Sequence, residues 1–242
     1  MKTERLKTYE EVSARAAEIV GRAIQEKPDL VLGLPTGETP IGLYARLSEA
    51  CRKGEVDFSR VTTFNLDEYY PIDPENEQSY RFFMNKHLFR NVNVPIEATH
   101  VPAGNAADPD EAAKEYEAMI LQHGGVDLQV LGIGRNGHIG FNEPGSAFDT
   151  PTHVVTLTEN TIEANSRLFD SIDDVPLHAL TMGIGTILRA KKILILITGK
   201  EKREALKTLL KGEETLDCPA TAILRHPDVT LLADEEAYGE VQ

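Results

Sequence analysis

Between Gly132 and Gly145 the chain reads GIGRNGHIGFNEPG, and the side chains there that can do chemistry are Asn136, His138 and Glu143. A histidine, with an ordinary pKa of about 6.5, carries protons at physiological pH. A carboxylate within reach fixes its tautomer and raises its basicity. The plainer alternative is a loop histidine that only caps a turn. The first six residues also spell Gly-x-Gly-x-x-Gly, the phosphate-cradling pattern of dinucleotide-binding enzymes. That pattern ordinarily lies in the first strand-to-helix turn, opens directly into a helix, and precedes an acidic residue about 20 positions on that closes the second strand. Here it lies past the middle of the chain and is followed by HIGFNEPG, which has helix breakers and no amphipathic period. Glu159 stands at a tolerable distance, but within TLTENTIE, which reads as the start of a helix. The glycines therefore predict a close approach of backbone to a small ligand, not a nicotinamide or flavin site.

Two further stretches carry candidate groups. TFNLDEYY (Thr63–Tyr70) places Asp67 just beyond an apolar strand, where a partly desolvated carboxylate serves as a base; a solvated acidic turn is the plainer alternative. GLPTGETP (Gly33–Pro40) lacks the lysine of a P-loop, yet a turn feeding a helix N-terminus with Thr36, Gly37, Glu38 and Thr39 binds phosphate through N–H groups and hydroxyls. Basic partners for that phosphate are Arg167, in EANSRLF, and Lys202, in GKEKREAL, unless each is a solvated helix charge. A metal held by His138, Glu143, Asp67 and Glu68 is disfavoured, because no tight pair of histidines is present.

These groups need elements to hold them. Capping boxes at Thr8–Glu11 and Asp108–Glu111 open helices, and Thr39-Pro40 predicts a third helix start, with Thr39 as the cap. SYRFFMNKHLF and EKREALKTLLKG also read as helices, the latter ending before Gly212. DLVLGLPTG, VTTFNLDEYY, VDLQVLGIG and KKILILIT read as strands, and ATAILRH and DVTLLADEEA as short strand pieces. Strands that are apolar throughout are buried on both faces, as in a parallel sheet covered by helices. The alternation predicts one α/β domain over residues 1–242, an open, twisted, mostly parallel sheet with helices on both faces. In such sheets ligands bind at the carboxyl ends of strands, where LGLPTGETP, FNLDEYY and LGIGRNGH all fall.

The totals narrow the function classes. The 242 residues are 41% hydrophobic and 26% charged, ordinary for a globular chain. No apolar run approaches the roughly 20 residues that span a bilayer, and MKTERLKTYEE is not a secretory leader. Cys51 and Cys218 form no disulfide framework and fit a reduced cytoplasm. A net charge of −14 argues against nucleic acid as a partner and would repel a small anion, so a phosphate-bearing substrate requires a local basic pocket.

Taken together and in order, LGLPTGETP, VTTFNLDEYY, GIGRNGHIGFNEPG, TIEANSRLF and GKEK resemble the glucosamine-6-phosphate deaminase family over nearly the whole chain, in its short, Bacillus-like form. The resemblance implies a Rossmann-like fold with a small lid at about 151–182. It implies conversion of D-glucosamine 6-phosphate and water to D-fructose 6-phosphate and ammonia, within N-acetylglucosamine and amino-sugar catabolism, without metal or organic cofactor. By the same resemblance Asp67 is the base that takes the C2 proton, His138 opens the pyranose ring, and Glu143 positions His138. Thr36–Thr39, Arg167 and Lys202 match the phosphate cradle. Two departures stand out. Asn136 occupies a position where many members have Asp, which predicts a lower His138 pKa than theirs. His153 and Val155 stand where allosteric members carry Arg and Lys, and the chain ends soon after Tyr238; both predict a monomer without activation by N-acetylglucosamine 6-phosphate, not an allosteric hexamer. The alternatives are a 6-phosphogluconolactonase-like hydrolase, whose relatives share the Gly-x-Gly-x-x-Gly-His loop, and a non-catalytic sugar-phosphate sensor.

Overall fold

Along the run KILILI, Ile193, Ile195 and Ile197 enter one hydrophobic core while Leu194 and Leu196 enter another. That two-sided burial is why the run is apolar at consecutive positions. In the computed structural model, residues 1–166, 169 and 171–239 are described. Strands are β1 (Lys2–Leu6), β2 (Val31–Leu34), β3 (Thr62–Asn65), β4 (Asp67–Tyr70), β5 (Thr99–His100), β6 (Leu128–Gly132), β7 (His153–Thr156), β8 (His178–Thr181), β9 (Lys192–Ile197) and β10 (Val229–Asp234). Helices are α1 (Tyr9–Glu26), α2 (Ile41–Arg52), α3 (Tyr80–His87), α4 (Pro109–Gln122), α5 (Glu159–Ser166), α6 (Ile184–Leu188), α7 (Arg203–Leu210) and α8 (Glu235–Tyr238).

Among the described residues, seven strands form one parallel sheet in the order β1-β10-β9-β6-β2-β3-β5. Helices α1, α2 and α3 cover one face through Val12, Val20, Leu43, Leu47 and Met84. Helices α4, α6 and α7 cover the other through Tyr116, Ile120, Ile187, Leu206 and Leu209. Each such aliphatic side chain, fully buried, contributes about 1.5–3 kcal/mol. The chain runs outward from β2 to β3 and β5, then returns to place β6 on the other side of β2. That reversal opens a crevice beyond the carboxyl ends of β2 and β6, the place where α/β sheets bind ligands. At the opposite, amino end, Asp127 accepts from Val31 N at 2.8 Å and pairs with Lys191 at 2.6 Å and with Lys27, clasping β2, β6 and β9 together.

The N-cap half of each predicted capping box forms, while Glu11 Oε2 accepts from Lys7 N at 2.8 Å and not from the N-cap Thr8. Thr8 Oγ1 accepts from Glu11 N at 3.3 Å, and Asp108 Oδ1 accepts from Asp110 N and Glu111 N at 3.0 and 3.1 Å. The expectation for Thr39 is corrected: α2 starts at Ile41 with Pro40 at its cap and no side-chain cap. The Tyr9 hydroxyl takes over that work, accepting from Gly42 N at 2.7 Å. VTTFNLDEYY is not one strand. It breaks at Leu66, and β4 leaves the large sheet to pair antiparallel with β8, with Asp67 opposite Thr181. ATAILRH is not a strand either; Pro219–Arg225 coils as 3-10 helix and Ala220 N donates to Gly137 O at 2.8 Å. Periodicity does not separate such short apolar pieces.

Strands β4, β8 and β7 make a second, antiparallel sheet that the sequence did not announce, with α5 carried between β7 and β8. Tyr69, Ile72, Phe141, Leu157 and Ala179 form its own small core. Glu117 of α4 anchors the entry to this unit: its carboxylate accepts from Thr152 N at 3.0 Å, Thr152 Oγ1 at 2.6 Å and Thr186 Oγ1 at 2.8 Å.

Candidate active site

The loop after β6 is shaped around His138. Gly134 N donates to His138 O at 2.8 Å and Gly137 N to Gly134 O at 3.1 Å, folding the chain back on itself. A side chain at Gly134 would strike the imidazole, since its Cβ would lie 2.2 Å from the ring. Gly137 has φ +80°, and a Cβ there would lie 2.2 Å from Cys218 Sγ. Two glycines of the Gly-x-Gly-x-x-Gly pattern therefore make room for the histidine and for a supporting cysteine.

His138 meets an amide before it meets a carboxylate. Its Nδ1 is 2.8 Å from Asn136 Oδ1, and Asn136 Nδ2 donates to Glu143 Oε2 at 2.7 Å. The amide has one workable orientation: Glu143 needs a donor, so Oδ1 is left to accept from His138. Nδ1 then carries the proton and Nε2 is the nitrogen free to exchange one. Glu143 itself stands 3.7 Å from His138 Nδ1, beyond hydrogen-bond distance, so its influence passes through Asn136. Burial holds the His138 pKa below the ordinary value, Lys202 lowers it further, and Glu143 opposes both. The second oxygen of Glu143 accepts from Thr161 Oγ1 on α5 at 2.8 Å, a partner the sequence did not reveal. No periodic or cap signal points from Thr161 to a carboxylate 18 residues earlier.

Asp67 opens β4 with only 6% of its surface exposed. Burial, with the neighbouring Glu68 carboxylate adding to it, pushes the Asp67 carboxyl up to about 8. A raised carboxylate in a cleft is poised to take a proton near neutral pH. Glu68 serves structure instead, accepting from Ser79 Oγ at 2.8 Å, Tyr80 N at 2.9 Å and Arg81 N at 3.0 Å and so fixing the start of α3. The two loops meet at Gly140, where a Cβ would lie 3.3 Å from Asp67 Oδ2 and 2.8 Å from Thr181 Oγ1. Asp67 and the His138 loop thus line one crevice.

Across the crevice, Thr36 and Thr39 are half-buried and Gly37 and Glu38 exposed in the turn after β2. Lys202 follows β9 in the 3-10 turn Lys200–Lys202, held by Gly199 N donating to Asp234 at 3.1 Å. Burial and the nearby Arg135 push the Lys202 ammonium below its ordinary pKa, while Glu201 and Glu38 counter them. Arg135, inside the GIGRNGH loop but given no role from the sequence, is a second basic group at this mouth. Arg167 lies outside the described residues. Among the described residues there is no cluster of three or more metal-ligating side chains. No helix among them is long and apolar enough to cross a membrane.

A parallel sheet with helices on both faces, whose switch-point crevice holds a buried carboxylate and an imidazole relay, defines an α/β protein equipped for acid–base chemistry on a small polar ligand. Residues 4–232 match the model of the glucosamine-6-phosphate isomerases/6-phosphogluconolactonase family, and the chain belongs to that family. It is 54% identical over 229 residues, 95% of this chain and 90% of the relative, to the glucosamine-6-phosphate deaminase of Thermoanaerobacter pseudethanolicus. It is 51% identical over the full length of both chains to that of Clostridium beijerinckii. A solved structure described as a monomeric glucosamine-6-phosphate deaminase superposes with a TM-score of 0.95 at 49% identity, covering 98% of each chain. The 6-phosphogluconolactonase of Thermotoga maritima shares the fold, with a TM-score of 0.76 at 21% identity over 96% of this chain and 98% of that one.

Proposed function

We propose that the protein converts D-glucosamine 6-phosphate and water to D-fructose 6-phosphate and ammonia. The observation that carries this is the meeting, at Gly140, of a buried carboxylate raised to about 8 with a loop whose histidine presents a free Nε2. A pyranose has no carbonyl to acidify its C2–H, so the ring must open before the amine can leave. His138 Nε2 takes the proton from O1 and returns it to O5 as the C1–O5 bond breaks. Ionised Asp67 then removes the C2 proton of the open aldehyde, giving an enolamine. Proton return to C1 gives an imine at C2, and water releases ammonia and the ketose.

Thr36, Gly37, Glu38, Thr39, Lys202 and Arg167 are assigned to the phosphate end, and Arg135 supplements them. Local cations there offset the overall charge of −14. The β7–α5–β8 unit is assigned as the cover of the site. Likeness to relatives bearing the deaminase name supports this activity over lactone hydrolysis, since likeness to the lactonases extends to the fold alone. We further infer a monomer, supported by the structure described as monomeric, and a cytoplasmic location, where membrane-impermeant phosphosugars are found. The deciding experiment is a coupled assay for ammonia and fructose 6-phosphate run beside 6-phosphogluconolactone hydrolysis. Stoichiometric ammonia and ketose are expected; lactone hydrolysis alone would overturn the proposal. Hyperbolic kinetics unaffected by N-acetylglucosamine 6-phosphate, and a monomer mass in sedimentation, are expected alongside.

A further inference from the structure

Glu143 is clamped from two sides by elements of different kinds. Asn136 Nδ2 reaches Oε2 at 2.7 Å from within the His138 loop, whereas Thr161 Oγ1 reaches Oε1 at 2.8 Å from the first turn of α5. Thr161 is itself held: Thr158 Oγ1 lies 3.0 Å from its hydroxyl and accepts from its backbone N at 3.2 Å. The hydroxyl therefore has a fixed direction set by the helix start, and Glu143 is the acceptor it donates to. Losing the Thr161 hydroxyl would remove this hold on Oε1, leaving the carboxylate freer to swing and Asn136 free to follow. Because Asn136 joins Glu143 to His138 Nδ1, a change at Oε1 is transmitted through one amide to the imidazole. The route from α5 to the histidine is three hydrogen bonds long, of 2.8, 2.7 and 2.8 Å, and every link is short and directional.

We propose that Thr161 is a positioning residue whose hydroxyl fixes Glu143 against Asn136, so that the placement of α5 sets the geometry and basicity of the His138 proton relay. This deepens the proposed function and rests on it for the identity of the step affected, ring opening. Withdrawing a hydrogen-bond donor leaves more negative charge on Glu143, which favours the protonated imidazole. Among the described residues, the other charged group acting on His138 is Lys202, after β9, which disfavours the protonated imidazole.

The test compares wild type, Thr161→Val, which removes the hydroxyl at nearly constant shape, and Thr161→Ser, which keeps it. The first readout is an NMR titration of the His138 ring in the unliganded protein. An upward displacement in Thr161→Val and its reversal in Thr161→Ser are expected; coincident titrations overturn the proposal. The second is the pH profile of kcat/KM for ammonia release. The expected result is a fall of about tenfold in Thr161→Val, as for a lost charge-assisted hydrogen bond of about 1.4 kcal/mol, with a displaced limb and recovery in Thr161→Ser. A fall with an unmoved limb indicates packing alone and also overturns it. Because the NMR titration needs no turnover, a wild-type protein without deaminase activity would refute the proposed function while leaving the coupling from Thr161 to His138 measurable.

Discussion

The pKa values of Asp67 and His138 are moved in opposite directions by one cause, burial beside the same crevice. For the carboxyl, burial favours the neutral form and raises the pKa to about 8; for the imidazole, it favours the neutral form and lowers it. Asp67→Asn is expected to lower kcat/KM for ammonia release by about 10²–10⁴, the usual contribution of a positioned base. In wild type, kcat/KM should climb with pH until Asp67 is ionised, near 8. The same residue carries a stability consequence. Its folded pKa lies above the ordinary 3.8, so its favourable contribution is complete below that value and lost as pH rises through about 8. The Tm advantage of Asp67→Asn over wild type should therefore widen from about pH 5 to about pH 9; a constant gap contradicts it. At position 136, Asn136→Asp places a second carboxylate beside Glu143 and His138. The His138 titration followed by NMR should move upward, and no movement would sink the view that the neutral amide keeps the imidazole less basic.

The loops that carry these groups depend on backbone shape that few side chains permit. Gly137 sits at φ +80° under Cys218, whose neighbour Ala220 bonds to Gly137 O. Gly137→Ala should cost about 1–3 kcal/mol from the left-handed backbone alone, with further strain against Sγ. Urea unfolding of Gly137→Ala, Cys218→Ala and the double variant checks this: the double variant should lose less than the sum of the singles, because one shared clash is relieved. Additive losses would show that the contact carries no strain. The β4–β8–β7 sheet acts at the same scale, because pairing Asp67 opposite Thr181 turns the chain away from the large sheet and presents the carboxylate at its carboxyl edge.

Across the whole molecule the two ends of the sheet divide the labour. In the proposed function loops at the carboxyl ends carry the chemistry, while the amino ends are held by Asp127 with Lys27 and Lys191. Burial pushes the Asp127 carboxyl up, but its hydrogen bonds to Lys191, Lys27 and Val31 N outweigh that and hold it below the ordinary value. A depressed folded pKa contributes stability that is present above the unfolded value of 3.8 and lost as pH falls through the folded one. Asp127→Asn should lower stability at neutral pH by about 1–3 kcal/mol, with the difference from wild type shrinking in acid. Turnover per folded molecule should stay unchanged, as the clasp lies at the far end of the sheet. A fall in kcat without a fall in Tm would contradict this division.

What is encoded locally was legible in the residues alone. The 192–197 run announced burial on both faces, Thr8 and Asp108 announced their helices, and the residue types in GIGRNGHIGFNEPG offered acid–base chemistry as one reading. These signals work because period, cap and side-chain type act within a few residues. Which groups meet was settled only by the folded chain. Whether VTTFNLDEYY continues or breaks at Leu66 depends on β8, more than a hundred residues later, offering Thr181 to Asp67. Asn136 became the bridge between His138 and Glu143, and Thr161 joined from α5, because the β4–β8–β7 sheet holds that helix over the loop. Contacts between distant loops follow from strand order, and strand order follows from how all the apolar faces are covered at once, which no local stretch specifies.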